Sequence, residues 1–136
     1  MITEKDRKIL EIIRSRKATT KEISLLTGIP ITTVHNRIKK MEREGVIKGY
    51  RAIIDNKKIG NEIEVIIGLE FARGKDGLEK ISRITNVEEC YKVSGSFDAI
   101  VKAAFHNIEE LNQFLDELKK INVERTVTHI VLKRVK

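Results

Sequence analysis

The stretch Thr19 to Glu44, TTKEISLLTGIPITTVHNRIKKMERE, constrains this chain more than any other. It reads as two helices separated only by Thr27-Gly28-Ile29-Pro30. Gly28 is free to take a positive φ and Pro30 cannot sit inside a helix, so one helix stops here and another begins at once. At about 100° per residue, Val34, Ile38 and Met41 gather on one side of the second helix, with Ile31 at the edge of the stripe. Thr32, Asn36, Lys40 and Arg43 point away from it, flanked by Thr33, Arg37 and Lys39. An ordinary solvated amphipathic helix shows the same division of faces. The short preceding helix, its glycine turn, and an outer face of only basic and neutral polar residues from Thr32 to Lys40 favour a helix-turn-helix. Its second helix would then lie in a DNA major groove.

The charge distribution points the same way. Residues 1–60 hold 15 Lys and Arg against 7 Asp and Glu, a surplus of 8, whereas residues 61–136 hold 12 against 13. The whole excess sits in one half, which indicates a local surface for a polyanion rather than general solubility. The single cysteine, Cys90, excludes an internal disulfide and a multi-cysteine zinc site. No apolar run is long enough for a signal peptide or a membrane span. The expectation is a soluble cytoplasmic protein that needs neither metal nor cofactor.

Before the turn, Thr3-Glu4-Lys5-Asp6 looks like a helix start, with Asp6 in place of the Glu or Gln of a capping box. Ile9, Ile13, Ile23, Leu26, Val34 and Ile38 then supply one small core for three short helices. Val46-Ile47 and Tyr50–Asp55 read as two extended segments around Lys48-Gly49, a small hairpin or wing. Lys48 and Arg51 are phosphate contacts or simply solvated. The polar run 56–61 marks the boundary between a first domain, 1–55, and a second, 62–136.

From Glu62 the apolar period changes to two, with Ile63, Val65, Ile67, Leu69 and Phe71 on one side of a strand. A helix with Leu78, Ile81 and Ile84 follows, then strands from Val87 to Val93 and Phe97 to Phe105 around Ser94-Gly95-Ser96. A second helix carries Leu111, Phe114, Leu115, Leu118 and Ile121 inward, and Val123 to Leu132 makes the last strand. The fold class is therefore α+β: a winged helix-turn-helix followed by a ferredoxin-like βαββαβ sandwich. Two helices cover one face of such a sheet. Yet Ile66, Ile100, Ala104, Ile130 and Leu132 put apolar groups on the other, which a second copy of the chain would cover as an isologous dimer.

Three stretches carry a family resemblance: Asp6-Arg7-Lys8-Ile9-Leu10, Glu42 to Tyr50 (EREGVIKGY), and Ser94-Gly95-Ser96-Phe97-Asp98. Over essentially its whole length the chain resembles the Lrp/AsnC (leucine-responsive/asparagine-type) transcription regulators. The resemblance implies an N-terminal domain that binds double-stranded DNA and a C-terminal domain that forms a homodimer through its sheet. Family dimers assemble further into tetramers, octamers or larger rings, and small effectors, often amino acids, bind in clefts between C-terminal domains. Carried onto this chain, the effector positions are Ser94, Gly95, Ser96, Phe97 and Asp98, with Thr126 and Thr128 downstream. Ser96 stands where the family turn has Asp, and Pro30-Ile31 replaces its Ser-Pro at the start of the recognition helix.

For DNA, Thr32, Thr33, Asn36 and Arg37 are expected at base edges, Lys39, Lys40 and Arg43 at phosphates, and His35 at either. His35, His106 and His129 lack metal-ligand spacing, Ser94-Gly95-Ser96 is not a nucleophile elbow, and Gly74 with Gly77 matches no phosphate loop. One enzyme alternative remains: similar proteins decarboxylate sirohaem, a role in which His106 and His129 would have to serve. The basic recognition helix argues for DNA and for a regulator rather than an enzyme.

Overall fold

In a computed structural model describing residues 1–136, the first helix, α1 (Glu4–Ser15), opens with a complete capping box. The Thr3 hydroxyl accepts from Asp6 N–H at 3.2 Å, and the Asp6 carboxylate accepts from Thr3 N–H at 2.9 Å. Thr19 caps α2 (Thr20–Thr27), which ends at Gly28 in the left-handed region, φ 76°. Helix α3 (Ile31–Arg43) then starts at Pro30, which offers no side-chain cap. The turn is instead held by the Ser24 hydroxyl, which donates to the Ile29 carbonyl at 2.5 Å. At its other end α3 closes with Gly45 at φ 75°, Val46 N–H on the Met41 carbonyl and Gly45 N–H on the Glu42 carbonyl. That is the paired bonding of a Schellman stop.

Ile9, Ile23, Ile29, Val34 and Met41 are buried together, with Ile13, Ile38 and Ile47 packed against them. Two expectations fail here. Leu26 is 61% exposed, and Ile29 in the turn fills the core in its place. The wing also forms no strands. Val46 and Ile47 both donate to the Met41 carbonyl, so they finish a helix rather than start a hairpin.

The chain folds as two units, Met1–Ile53 and Ile54–Lys136. Residues 56–61, read as a connection, belong to the second unit. A 3-10 turn, Asn56–Ile59, begins there, and the buried Asn56 amide donates to Glu64 at 3.2 Å and Glu88 at 3.0 Å.

The second unit contains β1 (Ile63–Phe71), α4 (Leu78–Ser82), β2 (Val87–Lys92), β3 (Ala99–Phe105), α5 (Ile108–Lys120) and β4 (Val123–Ile130). Its four strands lie antiparallel in the order β2-β3-β1-β4, with bulges at Glu70/Phe71 and Val87/Glu89. Val65, Ile67, Leu69, Val101, Ala103 and Phe105 form a core with Ile81, Leu111, Phe114 and Leu118 from the helices. The rings of Phe105 and Phe114 meet at 5.1 Å. On the other face, Ile66 is paired with Lys102 and His129, and Gly68 with Ile100 and Val127. Ile66 and Tyr91 remain 42% and 53% exposed there, whereas Ile130, expected on this face, is paired with the buried Val65 and so lies on the helix side, and Leu132 falls beyond the end of β4. No helix is long and apolar enough to cross a membrane.

Candidate functional site

Helix α3 shows its two faces plainly. Val34 and Met41 are buried, while Thr32, His35, Asn36, Lys39 and Arg43 are exposed and Thr33 and Lys40 half-buried. Lys39 reaches Glu42 at 3.7 Å, and Glu42 also accepts from the Tyr50 hydroxyl at 3.0 Å. The outward side is therefore hydrogen-bonding along its first half (Thr32, Asn36) and cationic further along (Lys39 and Arg43, with Lys40 half-buried at the margin), a distribution suited to a groove floored by bases and walled by phosphates.

Arg37 does not belong to that row. Its Nε donates to Asp6 Oδ1 at 2.6 Å and its Nη2 donates to Asp6 Oδ2, while Asp6 itself is wholly buried. The guanidinium beside Asp6 holds that carboxyl well below the usual carboxylate range, and the carboxylate in turn raises the guanidinium pKa. The expectation of Arg37 at a base edge is corrected on this geometry: its charged group is turned against α1. The signal was in the sequence. Arg37 lies about 140° around the helix from Thr32 but within about 40° of the buried Met41, so it sits beside the core stripe.

In the second unit the predicted effector residues do not converge within one chain. Ser94, Gly95 and Ser96 are exposed in the turn after β2, with Gly95 at φ 124°. The Phe97 ring lies over Gly68 on the open face, with the Arg125 guanidinium 5.9 Å from its centroid. Asp98 ties the turn to β1: its N–H donates to the Leu69 carbonyl at 2.8 Å and its carboxylate accepts from Phe71 N–H at 2.9 Å. Thr126 and Thr128 pair with Leu69 and Ile67, so they share the helix-covered face and do not reach the same crevice as Asp98.

The crevice that Asp98 does line has a volume of about 390 Å³ and is walled by Phe71, Arg73, Lys75, Asp76 and Lys92. Asp76 is engaged by Leu78 N–H at 2.9 Å. Arg73, Lys75 and Lys92 were missed in the sequence. The pairing of Lys92 with the buried Ala99 shows why it turns toward the helix side, a register that no local pattern announces. Cys90 packs half-buried against the core, and burial pushes its thiol pKa up. His106 Nδ1 lies 2.8 Å from the Gly60 carbonyl, and His129 is paired with Ile66 on β4.

A tightly turned basic helix-turn-helix, followed by a four-stranded α+β unit with a polar crevice, defines a DNA-binding regulator with a separate ligand-binding domain. Family models match accordingly: a winged helix-turn-helix DNA-binding domain over residues 2–48 and an Lrp/AsnC ligand binding domain over residues 64–136. The HTH-type transcriptional regulator FL11 of Pyrococcus horikoshii is 38% identical over 136 residues, covering 97% of this chain and 90% of its own. Among solved structures, AsnC of E. coli aligns with a TM-score of 0.82 at 27% identity, covering 100% of this chain and 95% of its own. The feast or famine regulatory protein of M. tuberculosis, solved with L-methionine, aligns at 0.89 and 23% identity with the same coverage. The chain belongs to the Lrp/AsnC family of transcriptional regulators. Its matched domains and relatives are those of regulators, not enzymes, and they favour this reading over the tetrapyrrole alternative.

Proposed function

We propose that this regulator reads a specific DNA sequence as a homodimer, laying α3 in the major groove. Thr32, Thr33 and Asn36 then meet base edges, Lys39, Lys40 and Arg43 meet phosphates, and His35 meets whichever its end of the helix reaches. The observation that carries the reading is the single exposed row on α3, with Val34 and Met41 buried behind it. The second unit supplies the dimer contact through the open face around Ile66, Ile100 and Tyr91. Tetramers or octamers would build on that dimer, in the cytoplasm. The crevice beside Asp98 takes a small effector. Cations from Arg73, Lys75 and Lys92 beside the carboxylates of Asp76 and Asp98 suit a zwitterion such as an amino acid.

Footprinting of genomic fragments with the purified protein, across a panel of amino acids, tests this directly. The expected result is protected half-sites about one helical turn, or a multiple of it, apart, with occupancy or spacing altered by at least one amino acid. Binding that depends only on fragment length would overturn sequence-specific reading. Indifference to the whole panel would remove the amino-acid effector while leaving DNA recognition standing.

A further inference from the structure

The Asp6 carboxylate gathers three donors on two oxygens. Oδ1 accepts from Arg37 Nε, while Oδ2 accepts from Arg37 Nη2 and from Thr3 N–H. Asp6 thereby belongs at once to the cap of α1 and to the middle of α3. It has no exposed surface, and Arg37 keeps only 24% of its side chain exposed. A carboxylate so enclosed cannot lose its cation without being left charged and buried, which is far costlier than breaking a surface pair. Arg37 is also the one basic residue of α3 on the core side of the helix, whereas Lys39, Lys40 and Arg43 face outward or lie at its margin.

We infer that Asp6 is a positioning residue for DNA recognition: by clamping the Arg37 guanidinium against α1 it withholds that cation from the duplex and leaves base reading to the uncharged Thr32, Thr33 and Asn36. The inference rests on the reading that α3 is the helix that meets DNA. A freed Arg37 would add a phosphate contact indifferent to sequence. Affinity for every duplex would then rise with no gain in discrimination, and the ratio of specific to nonspecific binding would fall. The clamp is thus a device for specificity as well as a tie between helices.

The test uses fluorescence anisotropy of the full chain on a duplex carrying a footprinted site and on a scrambled duplex, over a potassium chloride series. Each phosphate contact contributes about 0.9 to the slope of log affinity against log salt. Arg37→Met is expected to leave that slope unchanged, because the charge it removes never reached DNA. Asp6→Asn is expected to steepen the slope by about one and to lower the preference for the footprinted site, and Asp6→Asn/Arg37→Met to restore the slope. A slope flattened by about one in Arg37→Met would make Arg37 a phosphate contact and overturn the inference. So would an Asp6→Asn protein with unchanged slope and preference and only a lower melting temperature, since Asp6 would then do no more than hold the fold. Should either single variant fail to fold by circular dichroism, Asp6→Asn/Arg37→Met, which buries no unpaired charge, decides: the natural slope is expected, and a slope flattened by about one overturns the inference. Lys40→Ala serves as the reference, with an expected flattening of about one. If it leaves the slope untouched, the groove reading of α3 falls and the inference with it. If Lys40→Ala and Arg37→Met both flatten the slope, only the inference falls.

Discussion

Asp6 and Arg37 stand 31 positions apart and meet in a two-pronged ion pair within the first unit. The folded carboxyl is held below its ordinary pKa of 3.8. Its stabilising effect is therefore complete above about pH 4 and is lost as the pH falls below that value toward the folded pKa. Thermal melts of the natural protein and of Asp6→Asn from pH 7 down to pH 2 should show the natural protein melting higher at neutral pH. The gap should narrow only below about pH 4. A constant gap through the acid range would mean that the charge on Asp6 contributes nothing to the fold.

Ile23 and Leu26 share α2 but not its fate. Ile23 is 1% exposed and Leu26 is 61% exposed. Ile23→Ala should cost roughly 2–5 kcal/mol in urea unfolding, whereas Leu26→Ala should stay within about 0.5 kcal/mol of the natural protein. A comparable loss from Leu26→Ala would show that this side chain is covered in solution.

If the open sheet face joins two copies, an acid placed there should separate them. Ile66→Glu puts a charge on the face that carries Ile100 and Tyr91 without entering the helix-side core. Light scattering should show a dimer for the natural protein and a monomer for Ile66→Glu, with helical circular dichroism unchanged. Equal masses for the two proteins would move the dimer contact elsewhere.

At Gly68 an added Cβ would lie 2.6 Å from the Phe97 ring. Gly68→Ala should therefore cost about 1–3 kcal/mol through overpacking. Most of that loss should disappear in a Phe97→Ala background. An equal penalty in both backgrounds would mean that something other than the ring resists the methyl group.

The parts of the molecule that follow from short-range pattern are legible in the sequence. Gly28 and Pro30 fix the break, Thr3 and Thr19 fix helix starts, and alternation in Ile63–Phe71 fixes a strand. What escaped depends on distant partners. Arg37 looked like another cation on a basic helix until Asp6 came alongside. Leu26 fitted the apolar stripe of α2, yet Ile29 in the turn took its space. Val46 and Ile47 have the side chains of a strand, but their N–H groups are claimed by the Met41 carbonyl, and no strand forms there. Within one chain, Thr126 and Thr128 stand opposite Leu69 and Ile67 on the helix side, apart from the crevice that Asp98 lines. That register is set by pairing with β1, not by anything local to β4.

The close approach of Phe97 to Gly68 also sets how the sheet can align. In the order of β1, Gly68 is flanked by Ile67 and Leu69, and two residues away by Ile66 and Glu70. Sliding this strand by one or two places would bring a side chain beneath the aromatic ring where only hydrogen fits. A single missing methyl group thus acts as a key, admitting one alignment of the central strand and refusing its neighbours.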